Sequence, residues 1–532
     1  MSSLAPILER FLEAHSLIRI FRITQGVFLG LALLALVLSL LAARRDRTAA
    51  GRSPRARNAL FAFFALLLAA VYTYQSTWQL AGFARPPFVE FMRRFNLRPD
   101  NPVARITRGR LLDRNGQELA GNNPDDPARR RYPFSNAVCH VTGYLSPLFG
   151  LSGLEQADSA SLYGATLDTW DQRSRFTDNL LDSRRRVSGN DRTLTLDIRL
   201  QQEAVRLLGD RAGAVVALDP RDGAVLVLAS TPGFDPNHVT ADLFERADTA
   251  SPLLNRALHG LYPPGSTFKL VMAAAAIEAG FTGKLDCPAG GYTAGPGAPP
   301  IRDHEALQAD HDGSVWPGHG PIPMKTAIRL SSNVYFARLG VMLGPARLEQ
   351  MTDRLALANP IPVFEGSSSA IASSPCRLPP PRQQDDNELA QMAIGQGRLL
   401  VTPLQMAVLT AAIANHGLAM RPRLDAGAPP KVLRYYVRRN AAAVLAGFLR
   451  DAVESGTGHG ANVKGLEVAG KTGTAQNPAG DDHAWFVCFA PVDHPRLALA
   501  VIVENGGAGS QAAVPIAAGL LRMARDIGWL GE

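Results

Sequence analysis

Apolar positions near the start of the chain form two unbroken runs. Residues 23–43 include GVFLGLALLALVLSLLAA and hold no charge, and a second uncharged run over 59–84 opens ALFAFFALLLAAVYTY. A helix of about 20 apolar residues crosses a bilayer, so the two runs predict spans over about 23–43 and 59–80. Tyr72, Tyr74 and Trp78 fall where an interfacial belt of aromatic rings sits. Between the runs lies RRDRTAAGRSPRARN, with six arginines and one aspartate. A short loop so basic stays on the cytoplasmic side, which turns residues 85–532 outward and makes 1–84 a membrane hairpin.

Further along, the apolar runs shorten to strand and helix length. Prolines mark 85–104 as a linker, and VARITRGRLLDRNGQELA reads as two strands about an Asn115–Gly116 turn. Residues 121–190 are polar and irregular, completing a small scaffold over 85–190. In RTLTLDIRLQQEAVRLLGD a strand runs through Leu196; a helix capped by Asp197 follows, with Leu200, Ala204 and Leu207 on one face. AGAVVALDPRDGAVLVLAS is a second hairpin, turning at Pro220–Arg221–Asp222–Gly223. Helical and loop segments fill 240–450, then come the strand-like LEVAGKTGTA, HAWFVCFAP and RLALAVIVEN and a final helix, VPIAAGLLRMARDIGW. Strands at both ends of 191–532 around a helical block predict an α+β fold with one antiparallel sheet flanked by helices.

Charge and composition narrow the function. At about 150 residues per domain, 532 residues suggest three or four units, and 46% hydrophobic residues exclude a disordered chain. The net charge of +8 comes from residues 1–98, which hold 13 Lys+Arg against 4 Asp+Glu. The remainder balances at 42 against 43, so no basic domain exists to bind nucleic acid. Cys139, Cys287, Cys376 and Cys488 form no CxxC pair and no zinc spacing. Cys488, within WFVCFA, reads as a buried free thiol. The run DHEALQADHDG offers His304, Asp310, His311 and Asp312 as metal ligands, but a solvated acidic loop describes it better.

Lysine is scarce: six, against 49 arginines. Arginine serves wherever a fixed cation suffices, whereas only lysine can release its proton when desolvated. Two of the six sit in suggestive surroundings. In PPGSTFKLVMAAAAIEAG, Ser266 opens a helix that is apolar on every side, and Lys269 lies one turn on. A serine hydroxyl needs a base to become a nucleophile, and a buried lysine can supply one. In VAGKTGTAQ, Lys471 and Gly473 share a strand face, where the glycine would leave room for a ligand backbone. Between them, LSSNVYFA places Ser331 and Asn333 at a turn or helix start.

Taken singly, each is better explained by a cap or a turn; together and in this order they match the SxxK, SxN and KTG set of penicillin-recognising serine enzymes. The chain resembles class B penicillin-binding proteins, the monofunctional transpeptidases of cell-wall synthesis, over roughly residues 104–525. RGRLLDRNG, GYLSPLFGLSGLE, TLTLDIRLQ, ALDPRDGAVLVLAS, AIGQGRLLVTPLQMA and HAWFVCFAP carry the likeness beyond the three motifs, and the short module is most similar to compact actinobacterial-type members. Two spans depart from the usual single anchor and leave residues 1–57 without a family role.

The resemblance implies a β-rich, non-catalytic pedestal over 85–190 and a transpeptidase domain with a five-stranded antiparallel sheet over 191–532. It implies that Ser266 attacks the D-Ala-D-Ala end of a peptidoglycan stem peptide while Lys269 takes the proton. Ser331 and Lys471 would relay a proton to the departing D-Ala, and Asn333 would hold the substrate amide. The Ser266 and Thr474 N–H groups would form the oxyanion hole; Thr472 and Thr474 hydroxyls with Lys471 would receive the terminal carboxylate, the peptide lying along Gly473. β-Lactams would acylate the same serine, and a polytopic membrane glycosyltransferase of the shape or division type is the implied partner. No cofactor or metal is implied. In an oxidising compartment Cys287 and Cys376 are candidates for a disulfide. A class A-like β-lactamase would need a water-activating carboxylate, and no Glu-x-x-x-Asn follows Ser331. The 15-residue loop is too small for the signalling domain of a β-lactam sensor, and the ~100 residues before the catalytic part are too few for a glycosyltransferase domain.

The topology is testable by fusion. A reporter joined after residue 50 should be active only in the cytoplasm, and one after residue 100 only outside. A cytoplasmic signal from the residue-100 fusion would exclude an envelope function.

Overall fold

The computed structural model describes residues 62–74 and 106–531, apart from 127–128, 147, 165–186, 246–250, 380–384 and 479. Two compact units separate at Asn101 and Pro102. Of the first, one helix over 62–74 is described, with Phe63, Leu68 and Tyr74 exposed. The expected span over 23–43 and the linker over 85–104 lie outside the described residues. Among those described, no helix is long and apolar enough to cross a membrane.

The second unit opens with a four-stranded sheet of β1 (Leu111–Leu112), β2 (Glu118–Asn122), β3 (Arg130–Arg131) and β4 (Arg192–Thr193), in the order β3-β2-β1-β4. The expected hairpin joins β1 to β2. Gly116 at its tip has φ +84°, a value that favours glycine. Buried Asp113 accepts from the N–H groups of Asn115 (2.7 Å), Gln117 (2.8 Å) and Ile198 (3.2 Å), tying the turn to helix α1 (Ile198–Leu208). Asp197 caps that helix through Arg199 N. Leu200, Ala204 and Leu208 are its buried residues on one core, with Leu207 packed beside them.

β5 (Gly213–Leu218), β6 (Val225–Thr231), β7 (Ala469–Ala475), β8 (His483–Ala490) and β9 (Leu497–Val503) form the five-stranded antiparallel sheet, in the order β6-β5-β9-β8-β7. The segment between β6 and β7 carries helices α2 (Lys269–Glu278), α3 (His304–Asp312), α4 (Asn333–Arg354), α5 (Pro403–Ala414) and α6 (Arg439–Ser455). It also holds three two-stranded ribbons where only helix and loop were expected. α7 (Gly509–Asp526) closes the fold, starting five residues before the expected VPIAAG. The sheet is buried on both faces. Val215, Ala217, Phe486 and Val501 pack with α1 and α7, while Val216, Trp485, Val487 and Ala500 pack with α2 and α5. Two covered faces explain why the strands are continuously apolar rather than alternating. The second of these cores runs without interruption into Leu111, Leu119, Tyr132 and Leu154 of the small scaffold.

All four cysteines are buried and free, so no Cys287–Cys376 disulfide forms. Cys287 lies on a strand paired with Gly320, while Cys376 is held by Leu357 through its N–H, which places the two thiols in different local structures.

The scaffold is organised by one buried carboxylate. Glu155, fully buried, accepts from Arg108 Nε at 2.6 Å and from Arg130 Nε at 2.8 Å, both guanidiniums being almost wholly buried. Arg108 also donates to the Glu155 carbonyl, and Arg130 to the Gly109 carbonyl. RGR and GLE therefore supply two members of one ion triad, Arg108 and Glu155, and Arg130 is the third. Removing the charge with Glu155→Gln strands two buried cations, and by analogy with other broken buried pairs should cost about 3–5 kcal/mol. Denaturant unfolding should show the midpoint falling accordingly, whereas Glu203→Gln, whose Arg206 partner is exposed, should leave it unchanged.

Candidate active site

Three segments far apart in sequence meet at the β7 edge. Pro263–Pro264 breaks the chain, and Gly265–Phe268 forms a 3-10 turn feeding directly into α2. Ser266 sits half-buried in this turn. Lys269, the first residue of α2, is completely buried. Its Nζ donates to the Ser331 carbonyl at 2.5 Å and to Asn333 Oδ1 at 2.8 Å, and lies 3.4 Å from Ser331 Oγ. Lys471 on β7 is equally buried, and its Nζ donates to Ser331 Oγ at 2.8 Å and to the Thr472 carbonyl at 2.9 Å. Ser331 is therefore the meeting point of both amines.

Ser331 links helix Met324–Leu330 to α4 with φ +61°, a left-handed conformation uncommon for a residue with a side chain. Ser332 is the N-cap of α4, accepting from Tyr335 N, and Asn333 begins the helix. The N-cap expected of this segment thus falls on Ser332, which leaves the Ser331 hydroxyl free to face the two lysines.

Burial dominates the electrostatics. It pulls the Lys269 pKa down to about 7, against the opposing pull of the Asp303 and Glu305 carboxylates. Burial also drives Lys471 well below its ordinary value, and proximity to Lys269 adds to the fall. Among the described residues neither amine forms an ion pair with a carboxylate. Burial thus disfavours the ammonium form of Lys471.

Three further expectations are not met by the contacts of the site. Gly473 does not leave room for a ligand backbone on its side-chain face. A Cβ there would lie 2.9 Å from Thr267 Cγ2, 3.0 Å from Trp485 Cβ and 3.1 Å from the Pro264 carbonyl. The absent side chain instead lets the Ser266 turn seat against β7. Gly265, with φ +53°, meets β7 from the other side: a Cβ on it would lie 2.5 Å from the Thr474 carbonyl. Thr472 and Thr474 pair with Phe486 and Ala484, on the strand face away from Lys471. Thr472 Oγ1 is 2.6 Å from Thr457 Oγ1, and Thr474 Oγ1 accepts from Gly509 N at 3.4 Å. Nor does Lys269 hydrogen-bond Ser266: the Ser331 and Asn333 oxygens occupy its donors. Catalytic contacts often tighten only around bound substrate.

With this arrangement in view, residues 213–522 match the penicillin binding protein transpeptidase domain, and 108–187 match the penicillin binding protein A dimerisation domain. The chain belongs to the penicillin-binding protein transpeptidases. It is 34% identical to the peptidoglycan D,D-transpeptidase PbpA of Mycolicibacterium smegmatis over 411 residues, covering 71% of this chain and 79% of the relative. MrdA of Acinetobacter baumannii, also a peptidoglycan D,D-transpeptidase, is 31% identical, with 72% of this chain and 64% of the relative covered. Among solved structures, the ceftriaxone acyl-enzyme of penicillin-binding protein A from M. tuberculosis matches with TM-score 0.70 and 29% identity, over 79% of this chain and 99% of that one. Peptidoglycan D,D-transpeptidase is accordingly the activity of this chain.

In this penicillin-binding protein, sequence reasoning missed Asp303, Thr457 and Glu504. Asp303 is buried beneath the Ser331–Asn333 turn. The run read as possible metal ligands, His304, Asp310, His311 and Asp312, lies on α3, where Asp310 pairs with Arg302, and no metal-holding cluster forms among the described residues. Glu504 accepts from Arg256 Nε (2.7 Å) and Tyr262 OH (2.6 Å), while Trp485 Nε1 donates to the Pro263 carbonyl (3.0 Å); together they brace the segment before Ser266. The clue to Thr457 was its place in SGTGHG shortly before the KTG strand, a turn-rich run with no chemistry of its own.

Because Gly473 seats the Ser266 turn, Gly473→Ala should push β7 and that turn apart. Misplacement of that order costs about 100-fold in rate, so the second-order rate of acylation by a fluorescent penicillin should fall roughly so far without loss of fold.

Proposed function

We propose that Ser266 is the nucleophile of this transpeptidase and attacks the penultimate D-Ala carbonyl of a stem peptide added alongside β7. The convergence of buried Lys269 and Lys471 on Ser331, beside the turn that carries Ser266, is the observation that supports it. Lys269, with its pKa drawn to about 7, takes the Ser266 proton. The N–H groups of Ser266 and Thr474 stabilise the oxyanion, each donor being worth about 3–4 kcal/mol. Ser331, held by both lysines, passes a proton to the departing D-Ala amine. Asn333 holds the substrate amide, and the terminal carboxylate is received by the Thr472 and Thr474 hydroxyls at the β7 edge, with Lys471 supplying charge from the opposite face of the strand. That carboxylate restores the Lys471 charge which burial disfavours. An amine from a neighbouring stem then resolves the acyl-enzyme into a cross-link. A β-lactam enters the same path and stops at the acyl-serine.

In this reading residues 1–84 form a two-span anchor, 85–190 a linker and pedestal, and 191–532 the catalytic domain on the extracytoplasmic face. Its partner is a polytopic membrane glycosyltransferase of the elongation or division machinery.

Mass spectrometry of the penicillin adduct should place the acyl group on the peptide containing Ser266, and Ser266→Ala should abolish it. An adduct on Ser331 would overturn the assignment. Lys269→Arg keeps charge but removes the base, so acylation should fall by about 10²–10⁴-fold. Lys471→Arg should do less harm, because an arginine can still meet the carboxylate.

A further inference from the structure

We propose that Asp303 is a positioning residue for acylation, holding the Ser331–Asn333 turn in the one shape that gives the Lys269 amine its acceptors. This rests on the reading of Lys269 as the proton acceptor. The Asp303 side chain is 1% exposed. Its Oδ1 accepts from the N–H groups of Asn333 and of Val334 (3.0 Å), and its Oδ2 from Ser332 Oγ (2.9 Å). Those N–H groups are the first unpaired donors of α4, at the positive end of the helix, where a carboxylate binds best. The preceding residue contributes as well, since the Arg302 carbonyl accepts from Asn333 Nδ2 at 3.0 Å. Asn333 is thus held at its backbone and at its amide, and the amide oxygen is left to face Lys269.

Ser331 lies just before this clamp. With its successors pinned, it adopts φ +61° and turns its carbonyl to Lys269 and its hydroxyl between the two lysines. Loss of Asp303 would leave buried donors on Ser332, Asn333 and Val334 unpaired, a cost the turn can relieve only by moving. Any such movement takes two of the Lys269 acceptors with it.

The charge matters separately from the shape. Facing Lys269 are the Asp303 and Glu305 carboxylates, the Lys471 amine and the Phe336 ring, its centre 5.7 Å from Nζ. Around Asp303 stand His319 Nε2 at 3.8 Å, itself 3.6 Å from Glu305, and the Cys287 thiol, 3.6 Å from Ser332 Oγ. The carboxylates hold a proton on Lys269 that burial tends to remove. Removing the charge at 303 therefore favours the neutral amine, and the rising acid limb of the acylation profile moves to lower pH.

The test is the second-order rate of acylation of the full-length protein by one penicillin, followed across pH for wild type, Asp303→Asn, Asp303→Glu and Lys269→Arg. Circular dichroism verifies that each variant folds. Asp303→Asn keeps an oxygen for the two N–H groups but not the charge. Its limb should move to lower pH and its plateau should fall about 10-fold or more. Asp303→Glu keeps the charge but displaces the oxygens, so the limb should stay while the plateau falls. A folded Asp303→Asn with the wild-type limb and plateau overturns the proposal. Should Asp303→Asn not fold, an undiminished plateau in Asp303→Glu does so instead. Lys269→Arg separates the two levels. If it acylates like wild type, the Lys269 reading falls and this proposal with it; if it is inert while the 303 variants match wild type, only this proposal falls.

Discussion

Two amines share one hydroxyl, and most of the fold serves that arrangement. Lys269 and Lys471 are both completely buried and both reach Ser331. Taking one ammonium out of water is costly, and placing a second beside it is costlier still. The site therefore cannot hold both protons cheaply, and packing alone supplies an amine ready to accept one. The requirement for this is geometric: a helix start, an inter-helix turn and a strand, 62 to 140 residues apart in the pairs that touch, must meet within hydrogen-bond reach.

The central sheet meets that requirement by being covered on both faces. With β5, β8 and β9 buried between two helical layers, β7 is one of the two edges of a rigid platform, the other being β6. The β7 edge is approached on its helical side by the Ser266 turn, at a distance only glycine permits at 473. Trp485, the cross-strand partner of Gly473, fills the space beside it and donates to the Pro263 carbonyl. Strand and turn are in effect one piece, so the orientation of the Ser266 turn is inherited from the sheet. The small N-terminal scaffold shares a continuous core with the sheet, its own organisation resting on the Glu155 triad.

What could be read from sequence divides along a physical line. Periodicity and turn chemistry are local, and they revealed the Asn115–Gly116 hairpin, the Asp197 cap and the continuously apolar strands. The three motifs were legible because rare lysines stood in them. Contacts that depend on the third dimension were not legible. Gly473 looked like space for a ligand, and only the seating of Thr267 against it shows otherwise. Asp303 stood in an acidic run whose other members face elsewhere, and its cap on a helix 30 residues away leaves no local trace. The ribbons within 240–450 are strands of three to six residues, too short for alternation to register. The cysteines offered a compartment argument, but a disulfide also needs two thiols in one place.

The lysine census carries one last step. Lys284, Lys325, Lys431 and Lys464 are all exposed, so the two motif lysines are the buried ones in a chain of six. Buried arginines are treated differently here: Arg108 and Arg130 face Glu155, and Arg256 faces Glu504. A guanidinium cannot discharge itself, so each one taken into the interior is met by a carboxylate. Lys269 and Lys471 form no such ion pair and meet neutral oxygens instead. That surrounding suits an amine which gives up its proton or waits for a substrate anion. The choice of lysine at these two sites, in a protein that otherwise uses arginine, follows from the absence of a fixed counter-charge.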